Sequence, residues 1–253
     1  MTRRRVLVLG GTAQARVLAA ALAEDRTLTV TSSLAGRVSR PQLSPGRSRV
    51  GGFGGVEGLA QWLVTERVDL LVDATHPFAA TISAAAAVAA HRTGVPLLTL
   101  RRPEWTPVAG DRWLDVDSLA AAAVVLPTLG SRVFLTTGRQ GLAEFAHLHE
   151  LWFLVRTIDP PGPPLPSSMH LLLDRGPYTE DSELALMRRH HVDVLVTKNS
   201  GGAATVAKLG AARCLGLPVV LVRRPPAPVG VSTVDTVEAV VRWLAGPDVA
   251  QPG

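Results

Sequence analysis

The stretch VDLLVDATHPFAAT, residues Val68–Thr81, occurs twice in this chain, because VDVLVTKNSGGAAT at Val192–Thr205 follows it at a constant offset (192 − 68 = 124). Each copy opens with an apolar run rich in Val and Leu, which is typical of a strand buried on both faces of a parallel sheet. Each copy then passes through a short polar loop into an Ala-rich segment, which we expect to become helical near Ala79 and near Ala203. The stretch therefore predicts the same strand–loop–helix unit at two places.

The repetition extends to both sides of this stretch. Three more pairs of segments match in the same order, at offsets of 118 to 127 residues: RVLVLGGT (Arg5–Thr12) with RVFLTTGR (Arg132–Arg139), GVPLLTLRRP (Gly94–Pro103) with GLPVVLVRRP (Gly216–Pro225), and VDSLAAA (Val116–Ala122) with VDTVEAV (Val234–Val240). Matching units in one order at nearly one offset indicate an internal duplication. The sequence therefore predicts an α/β fold with two domains, residues 1–127 and 128–253, each built on a mainly parallel sheet.

Length and composition limit the class of protein. The 253 residues carry a net charge of +5, which favours an anionic partner. The basic residues are scattered, however, and the few aromatic residues give no stacking platform, so we expect no nucleic-acid partner. A single cysteine, Cys214, excludes an internal disulfide, and its setting among Ala and Leu predicts a buried, inert thiol.

The amino-terminal sequence MTRRRVLVLGG has some features of a secretion signal. Its apolar run is only as long as a buried strand, and Gln14 and Arg16 interrupt the sequence soon afterwards. No apolar run elsewhere approaches the roughly 18 residues of a membrane helix. We therefore expect a cytoplasmic protein with no membrane partner. The sequence leaves the oligomeric state open, and a monomer is one plausible state.

The turn after the first predicted strand, Val6–Leu9, is rich in small residues. Gly10, Gly11 and Thr12 lead into a helix that we expect to run to about Glu24. Glycines let backbone N–H groups approach a phosphate, and the positive end of the helix dipole favours the same group. The pattern is GGT rather than GxGxxG, so this turn alone is weak evidence for a nucleotide site.

The polar residues after the second predicted strand, Leu28–Thr31, select between two dinucleotides. An NAD site has Asp or Glu here to bind the ribose 2′-hydroxyl. This chain has Ser32, Ser33 and Arg37 instead, and hydroxyls with a guanidinium suit a 2′-phosphate. Either this feature or the glycine turn alone would favour a solvated turn, but the two together at this spacing favour a site for NADP.

The glycine-rich segment GGFGG, residues Gly51–Gly55, lies between a short predicted strand and the predicted helix Val56–Glu66. Its glycines permit the backbone to come close to a ligand, such as the adenosine or diphosphate part of the cofactor. A flexible loop is the other interpretation, and the sequence favours neither. Gly54 is the residue of this segment that we assign to the cofactor.

The two copies of VDLLVDATHPFAAT end in different polar loops. In the first copy Pro77 is expected in the first turn of a helix, which puts Thr75 or His76 near its cap. His76 is a candidate donor to an anionic substrate or to the cofactor, and a capping or packing role is the alternative. In the second copy Lys198 stands out, because the chain has only two lysines among 26 cationic residues.

Several catalytic constellations are excluded. Tyr178, the only tyrosine, and Lys198 are not four residues apart, as a short-chain dehydrogenase requires. The chain has neither a GxSxG nor a Walker A motif. His147, His149 and the neighbouring glutamates have no matching partner cluster, so we expect no metal site.

Seven motifs in one order give the chain a family resemblance: GGT, SLAGR, GGFGG, DATHPFA, TTGR, RGPY and VTKNSGG. With these motifs the chain resembles the precorrin-6A reductases of cobalamin biosynthesis, the precorrin-6x reductase family, over nearly its whole length. It departs from the family pattern at Gln14 and Ala15, where Glu-Gly or Glu-Ala is expected after GGT. The resemblance implies two Rossmann-like domains, NADPH as hydride donor, and reduction of one double bond of the precorrin-6A macrocycle to give precorrin-6B.

The implied substrate agrees with the composition, because a macrocycle with many acetate and propionate carboxylates suits an Arg-rich cleft. We expect the first half to bind NADPH through small and polar residues, namely Gly10, Gly11, Thr12, Ser32, Ser33, Arg37 and Gly54. We expect the tetrapyrrole to lie in the cleft between the halves and to face His76, Arg139, Lys198, Asn199 and Ser200.

Reduction also needs a proton. Lys198, His76 and Tyr178 are candidate donors, and water is a fourth. For Lys198, a role as an anchor for a carboxylate is favoured over a role as the acid. Two alternatives to this function stay open: an NADP-dependent reductase of another polycarboxylated imine or enamine, and a non-catalytic NADP-sensing or tetrapyrrole-carrying protein that would consume no NADPH.

Overall fold

The chain forms two compact units, each with its own parallel sheet. The computed structural model describes residues 3–36 and 46–246. One unit comprises Met1–Pro103 together with Pro225–Gly253, and the other comprises Glu104–Arg224. All strand pairs of both sheets within this described part are parallel, so the predicted α/β class is confirmed.

The first unit has a doubly wound sheet whose strand order is β12-β5-β4-β1-β2-β3. Its strands over the described ranges are β1 (Arg4–Leu9), β2 (Leu28–Leu34), β3 (Arg47–Val50), β4 (Leu70–Asp73), β5 (Leu97–Leu100) and β12 (Ser232–Val234). Its helices are α1 (Ala13–Ala23), α2 (Gly55–Thr65), α3 (Ala80–Thr93) and α7 (Val237–Ala245). The strand order reverses between β1 and β4, and ligands of such sheets bind at this point, beyond the carboxyl ends of the strands.

Both faces of the first sheet are covered. Side chains alternate along a strand, so Val6 and Val8 of β1 pack on one face with α1 and α7, whereas Leu7 and Leu9 pack on the other with α2 and α3. A strand buried in this way must be apolar at every position, which explains the continuous apolar runs in the sequence.

The second unit repeats the plan with the strand order β6-β11-β10-β7-β8-β9. Its strands in the described part are β6 (Arg112–Val116), β7 (Arg132–Leu135), β8 (Trp152–Thr157), β9 (Met169–Leu173), β10 (Val194–Lys198) and β11 (Pro218–Val222). Its helices are α4 (Leu119–Val125), α5 (Glu180–Arg189) and α6 (Ala207–Cys214). Short 3-10 turns occupy Leu126–Thr128, Leu142–Phe145 and Ala203–Thr205.

The units do not divide at residues 127/128, where the duplication places the boundary. The sixth strand of each repeat, β6 or β12, pairs in the sheet of the other repeat: β6 pairs with β11, and β12 pairs with β5. The chain therefore crosses from one unit to the other twice, after Pro103 and after Arg224. Sequence similarity identifies equivalent strands but carries no information about which sheet an edge strand joins, and this is why the predicted boundary was wrong.

Three local predictions also need correction. The strand β2 runs on to Leu34, so Ser32 and Ser33 lie inside it, because their backbones pair with both β1 and β3. The helix α3 begins at Ala80, so Pro77 lies in the preceding turn and neither Thr75 nor His76 is the cap.

Cys214 is exposed rather than buried. It is the last residue of α6, and its Sγ donates a hydrogen bond to Glu180 Oε1 at 3.3 Å. No helix in residues 3–36 and 46–246 is long and apolar enough to cross a membrane.

Candidate functional site

The turn between β1 and α1 lies at the point where the first sheet reverses its strand order. The Gly10 N–H donates to Ser33 O at 2.8 Å, which fixes the turn against β2. Thr12 caps α1, because its Oγ1 accepts from the Ala15 N–H at 3.0 Å. The same hydroxyl donates to Ala74 O at 3.0 Å, so it joins the ends of β1 and β4. The turn thus holds the start of α1 at the crevice that the topology predicts.

The carboxyl edge of this sheet is lined by glycines with open space beside them. A Cβ built on Gly11, Gly51, Gly52 or Gly54 would meet no heavy atom within 4 Å. Gly11 has φ +107° and Gly54 has φ +83°, a region that L side chains rarely adopt. First-turn N–H groups of a helix have no carbonyl partner inside the helix, and the dipole makes that end positive. This edge therefore suits an anionic ligand such as a diphosphate.

Ser32 and Ser33, which the sequence predicts for the cofactor, lie at the end of β2, and Arg49, which the sequence analysis does not single out, lies at the end of β3. Ser32 is 2% exposed, and its Oγ has no hydrogen-bond partner. Arg49 lies 3.4 Å from the Oγ of Ser33, donates to Gly51 O and Gly52 O at 2.7 Å each, and stacks over the Phe53 ring at 3.8 Å. Partial burial lowers the pKa of the Arg49 guanidinium. Arg37, the cation that the sequence predicts here, lies outside the described residues.

A cavity of about 290 Å³ lies at the ends of β4 and β5, wholly within the first unit. Asp73, the last residue of β4, is 2% exposed and lines it. The Asp73 Oδ1 accepts from Thr75 N at 3.0 Å and from Thr75 Oγ1 at 2.7 Å, whereas Oδ2 has no partner. The rest of the wall comes from the start of α3, the end of β5 and residues 225–229.

His76 also lines this cavity. Its Nδ1 accepts a hydrogen bond from the Phe78 N–H at 3.2 Å, and Ala79 N donates to His76 O at 2.7 Å. The residue therefore shapes the turn that leads into α3, and its ring is placed beside the cavity.

The equivalent edge of the second sheet is built differently. After β7 the chain passes through Thr137, Gly138 and Arg139 into a 3-10 turn of four residues, Leu142–Phe145, so the helix that corresponds to α1 is missing. Gly138 has φ +80°, so it shares a left-handed backbone conformation with Gly11. The next residue, Arg139, is exposed. The Oγ1 of Thr137 is buried and has no partner.

The end of β10 carries three of the predicted substrate residues. Lys198 is largely buried, which lowers the pKa of its ammonium. Asn199 uses its side chain inside the unit: Oδ1 accepts from Trp105 N at 2.9 Å, and Nδ2 donates to Glu104 Oε2 at 3.1 Å and to Trp105 O at 3.3 Å. Ser200 is buried beside it. Asn199 is thus engaged in holding the start of this unit, whereas Lys198 is placed at the strand end.

A buried cluster of charges lies next to these residues, and the sequence reading missed it. Arg156 of β8 and Glu183 of α5 form a bidentate ion pair at 2.5 and 3.0 Å, with side chains 6% and 1% exposed. Lys208 of α6 donates to Thr205 O at 2.7 Å and faces the Trp105 ring at 5.0 Å. Burial, together with the nearby Arg156 and partly offset by Glu183, lowers the pKa of Lys208 to about 7.

Tyr178 belongs to the same cluster. Its ring lies 3.7 Å from the guanidinium of Arg156, and burial raises the pKa of its phenol. Thr179 caps α5 through a reciprocal hydrogen-bond pair with Ser182, and the first turn of the helix carries the acidic residues Glu180, Asp181 and Glu183.

The structure brings most of the predicted cofactor residues to one edge of the first sheet: Gly10, Gly11, Thr12, Ser32, Ser33 and Gly54. It brings Lys198, Asn199 and Ser200 to the end of β10. Asp73, Arg49 and Lys208 were missed. Asp73 ends an otherwise apolar strand and Lys208 is the second of two lysines, and both signals are visible in the sequence. Within the described ranges no group of three or more His, Cys, Asp or Glu could hold a metal ion.

Known proteins resemble this chain over almost its whole length. A precorrin-6A reductase of Rhodococcus erythropolis is 56% identical over 240 residues, covering 95% of this chain and 97% of the relative. One of Mycobacterium tuberculosis is 51% identical over 243 residues, covering 96% and 98%. The solved structure of CobK precorrin-6A reductase matches with a TM-score of 0.90 at 45% identity, covering 96% of each chain. The family model of precorrin-6x reductase CbiJ/CobK matches residues 5–245, and the chain therefore belongs to the precorrin-6x reductase family.

Proposed function

We propose that this chain uses NADPH to reduce one double bond of the precorrin-6A macrocycle and so gives precorrin-6B. Membership of a reductase family supports an enzyme over a carrier or sensor. Both relatives described above are named as precorrin-6A reductases, which supports this macrocycle over another polycarboxylated imine or enamine. NADPH supplies the hydride when it is bound. The residues of the chain bind the cofactor and the macrocycle, orient them and supply the proton.

The observation that carries the cofactor proposal is the glycine-lined edge of the first sheet. Gly11 and Gly54 leave open space at the start of α1 and α2, where backbone N–H groups are available to a diphosphate. The buried Oγ of Ser32 lacks a partner, and a buried hydroxyl without one is unusual enough to indicate a ligand. The residues present therefore fit a dinucleotide.

Preference for NADPH over NADH is proposed to rest on the end of β2. Ser33 and the guanidinium of Arg49 lie 3.4 Å apart there, and no carboxylate follows the strand as an NAD site requires. Arg37 is proposed as a second cation for the 2′-phosphate. The variant Arg37→Ala should therefore weaken NADPH at least tenfold and NADH less than twofold in calorimetric titrations. Equal losses for both would contradict the 2′-phosphate assignment.

The cationic edge of the second sheet is proposed to bind the carboxylates of the macrocycle. Arg139 is exposed after β7, and Lys198 ends β10. Guanidinium and ammonium groups form charge-assisted hydrogen bonds with carboxylates. Asn199 and Ser200 are proposed to support Lys198, because the side chain of Asn199 is hydrogen-bonded to Glu104 and Trp105. The position of the macrocycle between the two halves stays a prediction, as do a cytoplasmic setting and a monomeric state.

The proton is proposed to come from Lys198, Tyr178 or His76. Burial lowers the pKa of Lys198, which makes it a stronger acid than an exposed lysine near neutral pH. Burial raises the pKa of Tyr178, which keeps its proton on the phenol. Lys198 is therefore favoured as the donor over Tyr178, in addition to its role as an anchor.

The test is anaerobic oxidation of NADPH with precorrin-6A, followed through the absorbance of cofactor and macrocycle together. We expect both signals to change in a 1:1 ratio. Tight binding of both ligands without turnover would contradict the reductase and support a carrier. The Lys198→Met variant should then separate anchor from acid, because loss of an anchor raises KM whereas loss of an acid lowers kcat.

A further inference from the structure

Asp73 presents a buried acceptor that the protein itself leaves unsatisfied. Thr75 satisfies Oδ1 through its backbone N–H and its hydroxyl. Oδ2 has no partner, although the residue is only 2% exposed. A buried carboxylate oxygen without a donor is unfavourable, and such an atom in a native protein is unusual enough to need an explanation. A donor from a ligand is one explanation, and the surroundings of Asp73 provide the space for it.

The cavity beside Asp73 lies next to the proposed diphosphate site. Asp73 ends β4, the strand adjacent to β1, and the Thr12 hydroxyl that caps α1 bonds to the carbonyl of the next residue, Ala74. Glycines lie on the β1–β2–β3 side of this point, and the cavity lies on the β4–β5 side. A dinucleotide binds across such a crevice, so its two nucleosides fall on opposite sides.

The size and the walls of the cavity limit its occupant. About 290 Å³ holds a single flat ring with a small substituent, and it is too small for a macrocycle of four pyrrole-type rings. Proline and alanine side chains with Leu100 and Val229 make up most of the wall. Its polar residues besides Asp73 are Thr75, His76, Ser83, Thr99 and Arg101. The occupant is therefore a mainly apolar ring that carries an N–H or O–H donor.

We propose that Asp73 Oδ2 accepts a hydrogen bond from the carboxamide of the nicotinamide ring, and that this cavity holds that ring. The proposal rests on the proposed function, because it requires a nicotinamide cofactor. It assigns Asp73 as a residue that orients the hydride-donating ring. Thr75 acts through Asp73, since its two hydrogen bonds hold the carboxylate in place.

The first experiment compares two ligands by calorimetry. NADPH carries the nicotinamide, and 2′-phospho-ADP-ribose lacks it while keeping the adenosine, diphosphate and 2′-phosphate. The isosteric variant Asp73→Asn replaces the acceptor Oδ2 with an N–H₂ donor. It should weaken NADPH about tenfold, the scale of one charge-assisted hydrogen bond, and change 2′-phospho-ADP-ribose less than twofold.

A second experiment changes the ligand instead of the protein. Reduced 3-acetylpyridine adenine dinucleotide phosphate has a methyl group in place of the carboxamide N–H₂. The unsubstituted protein should bind it about tenfold more weakly than NADPH, whereas Asp73→Asn should bind the two alike within about threefold. This loss of discrimination identifies the contact, because a merely structural role of Asp73 would weaken both ligands equally.

The control is Asp69→Asn, the same chemical change at the other end of β4, where Asp69 Oδ2 accepts from Arg5 N. It should leave all three affinities unchanged. Equal losses of NADPH and 2′-phospho-ADP-ribose in Asp73→Asn, or no loss of either, would overturn the proposal. Failure of the unsubstituted protein to bind 2′-phospho-ADP-ribose would instead contradict the proposed cofactor, so the two failures are distinguishable.

Discussion

The carboxyl edges of the two sheets descend from one repeat and now carry opposite chemistry. By offset or by strand register, Thr12 corresponds to Arg139, Ala74 to Lys198, and Ser33 to Arg156. Small and neutral residues in the first half are thus replaced by cations in the second. The first edge also keeps an eleven-residue helix after its first strand, whereas the second has only a four-residue 3-10 turn.

The difference shows that one scaffold can present two kinds of anion-binding edge. The first edge presents backbone N–H groups and a helix terminus, an arrangement that suits an anion and requires small side chains. The second edge uses long cationic side chains and holds some of them with its own acids, as in the Arg156–Glu183 pair. The strands and their burial are retained, and the changes lie at the strand ends and in the segment that follows the first strand of each sheet.

The largest effect should come from breaking the charge balance of the second edge. In Glu183→Gln the guanidinium of Arg156 and the ammonium of Lys208 are left buried without the carboxylate, so the free energy of unfolding should fall by about 3–5 kcal/mol. Denaturation by urea measures it. Asp117→Asn breaks the exposed Arg223–Asp117 pair and should have no measurable effect. A loss below about 1 kcal/mol in Glu183→Gln would show that the pair is not buried as described.

The next effect is a pH dependence of stability that arises at Lys208 of the second edge. Lys208 has a folded pKa of about 7 against 10.5 when unfolded, so the unfolded chain binds more protons between these values and stability rises with pH there. From pH 7 to pH 9 the gain should be about 2 kcal/mol.

The variant Lys208→Met isolates this contribution, because Lys198 and Tyr178 titrate in both proteins. Unfolding by urea at several pH values should give a flatter curve for Lys208→Met than for the unsubstituted protein. Parallel curves would mean that Lys208 is not buried as an uncharged amine above pH 7.

A smaller effect, on the affinity for NADPH, tests whether the cofactor binds at the glycine turn of the first half and not at the equivalent turn of the second half. Gly11→Ala places a methyl group in the open space at the start of α1 and should weaken NADPH about tenfold. Gly138→Ala, at the equivalent turn, meets the same left-handed strain of about 1–2 kcal/mol in stability. It should leave NADPH binding unchanged in calorimetry. Equal losses of affinity in both variants would remove the distinction between the two turns.

The smallest effect concerns the two buried hydroxyls without partners. Ser32→Ala should weaken NADPH about threefold, while the stability of the free protein stays the same or rises, because an unsatisfied oxygen is removed. Thr137→Val removes the buried hydroxyl without a partner in the second unit and should not change NADPH binding. Titration calorimetry measures the NADPH affinity of both variants, and urea denaturation measures their stability. Unchanged NADPH affinity in Ser32→Ala would exclude Ser32 from the site.

The sequence predicts the parts of this fold that depend on local pattern. The buried strand Leu70–Asp73 follows from an apolar run, and the turn at Gly10 follows from its small residues. The exchange of β6 and β12 could not be predicted, because edge pairing is decided by contacts between residues far apart in the chain.

The same limit applies within the sites. Arg156 lies in an apolar strand and Glu183 in a polar helix face, and only the folded structure pairs them across 27 positions. Asp73 is visible as a polar strand end, but its unsatisfied oxygen is a property of the packed neighbourhood.

The exchange of β6 and β12 also decides the order in which the two units can complete their folding during synthesis. The unit Glu104–Arg224 is continuous, so all of it is available once Arg224 has left the ribosome. The unit that begins the chain must wait for β12 and for α7, whose Val240 and Leu244 complete its core. At roughly 5–20 residues per second, the 21 residues from Arg224 to Ala245 take about 1–4 s. During that interval β5 presents an unpaired edge, and such an edge can pair with another chain and promote aggregation.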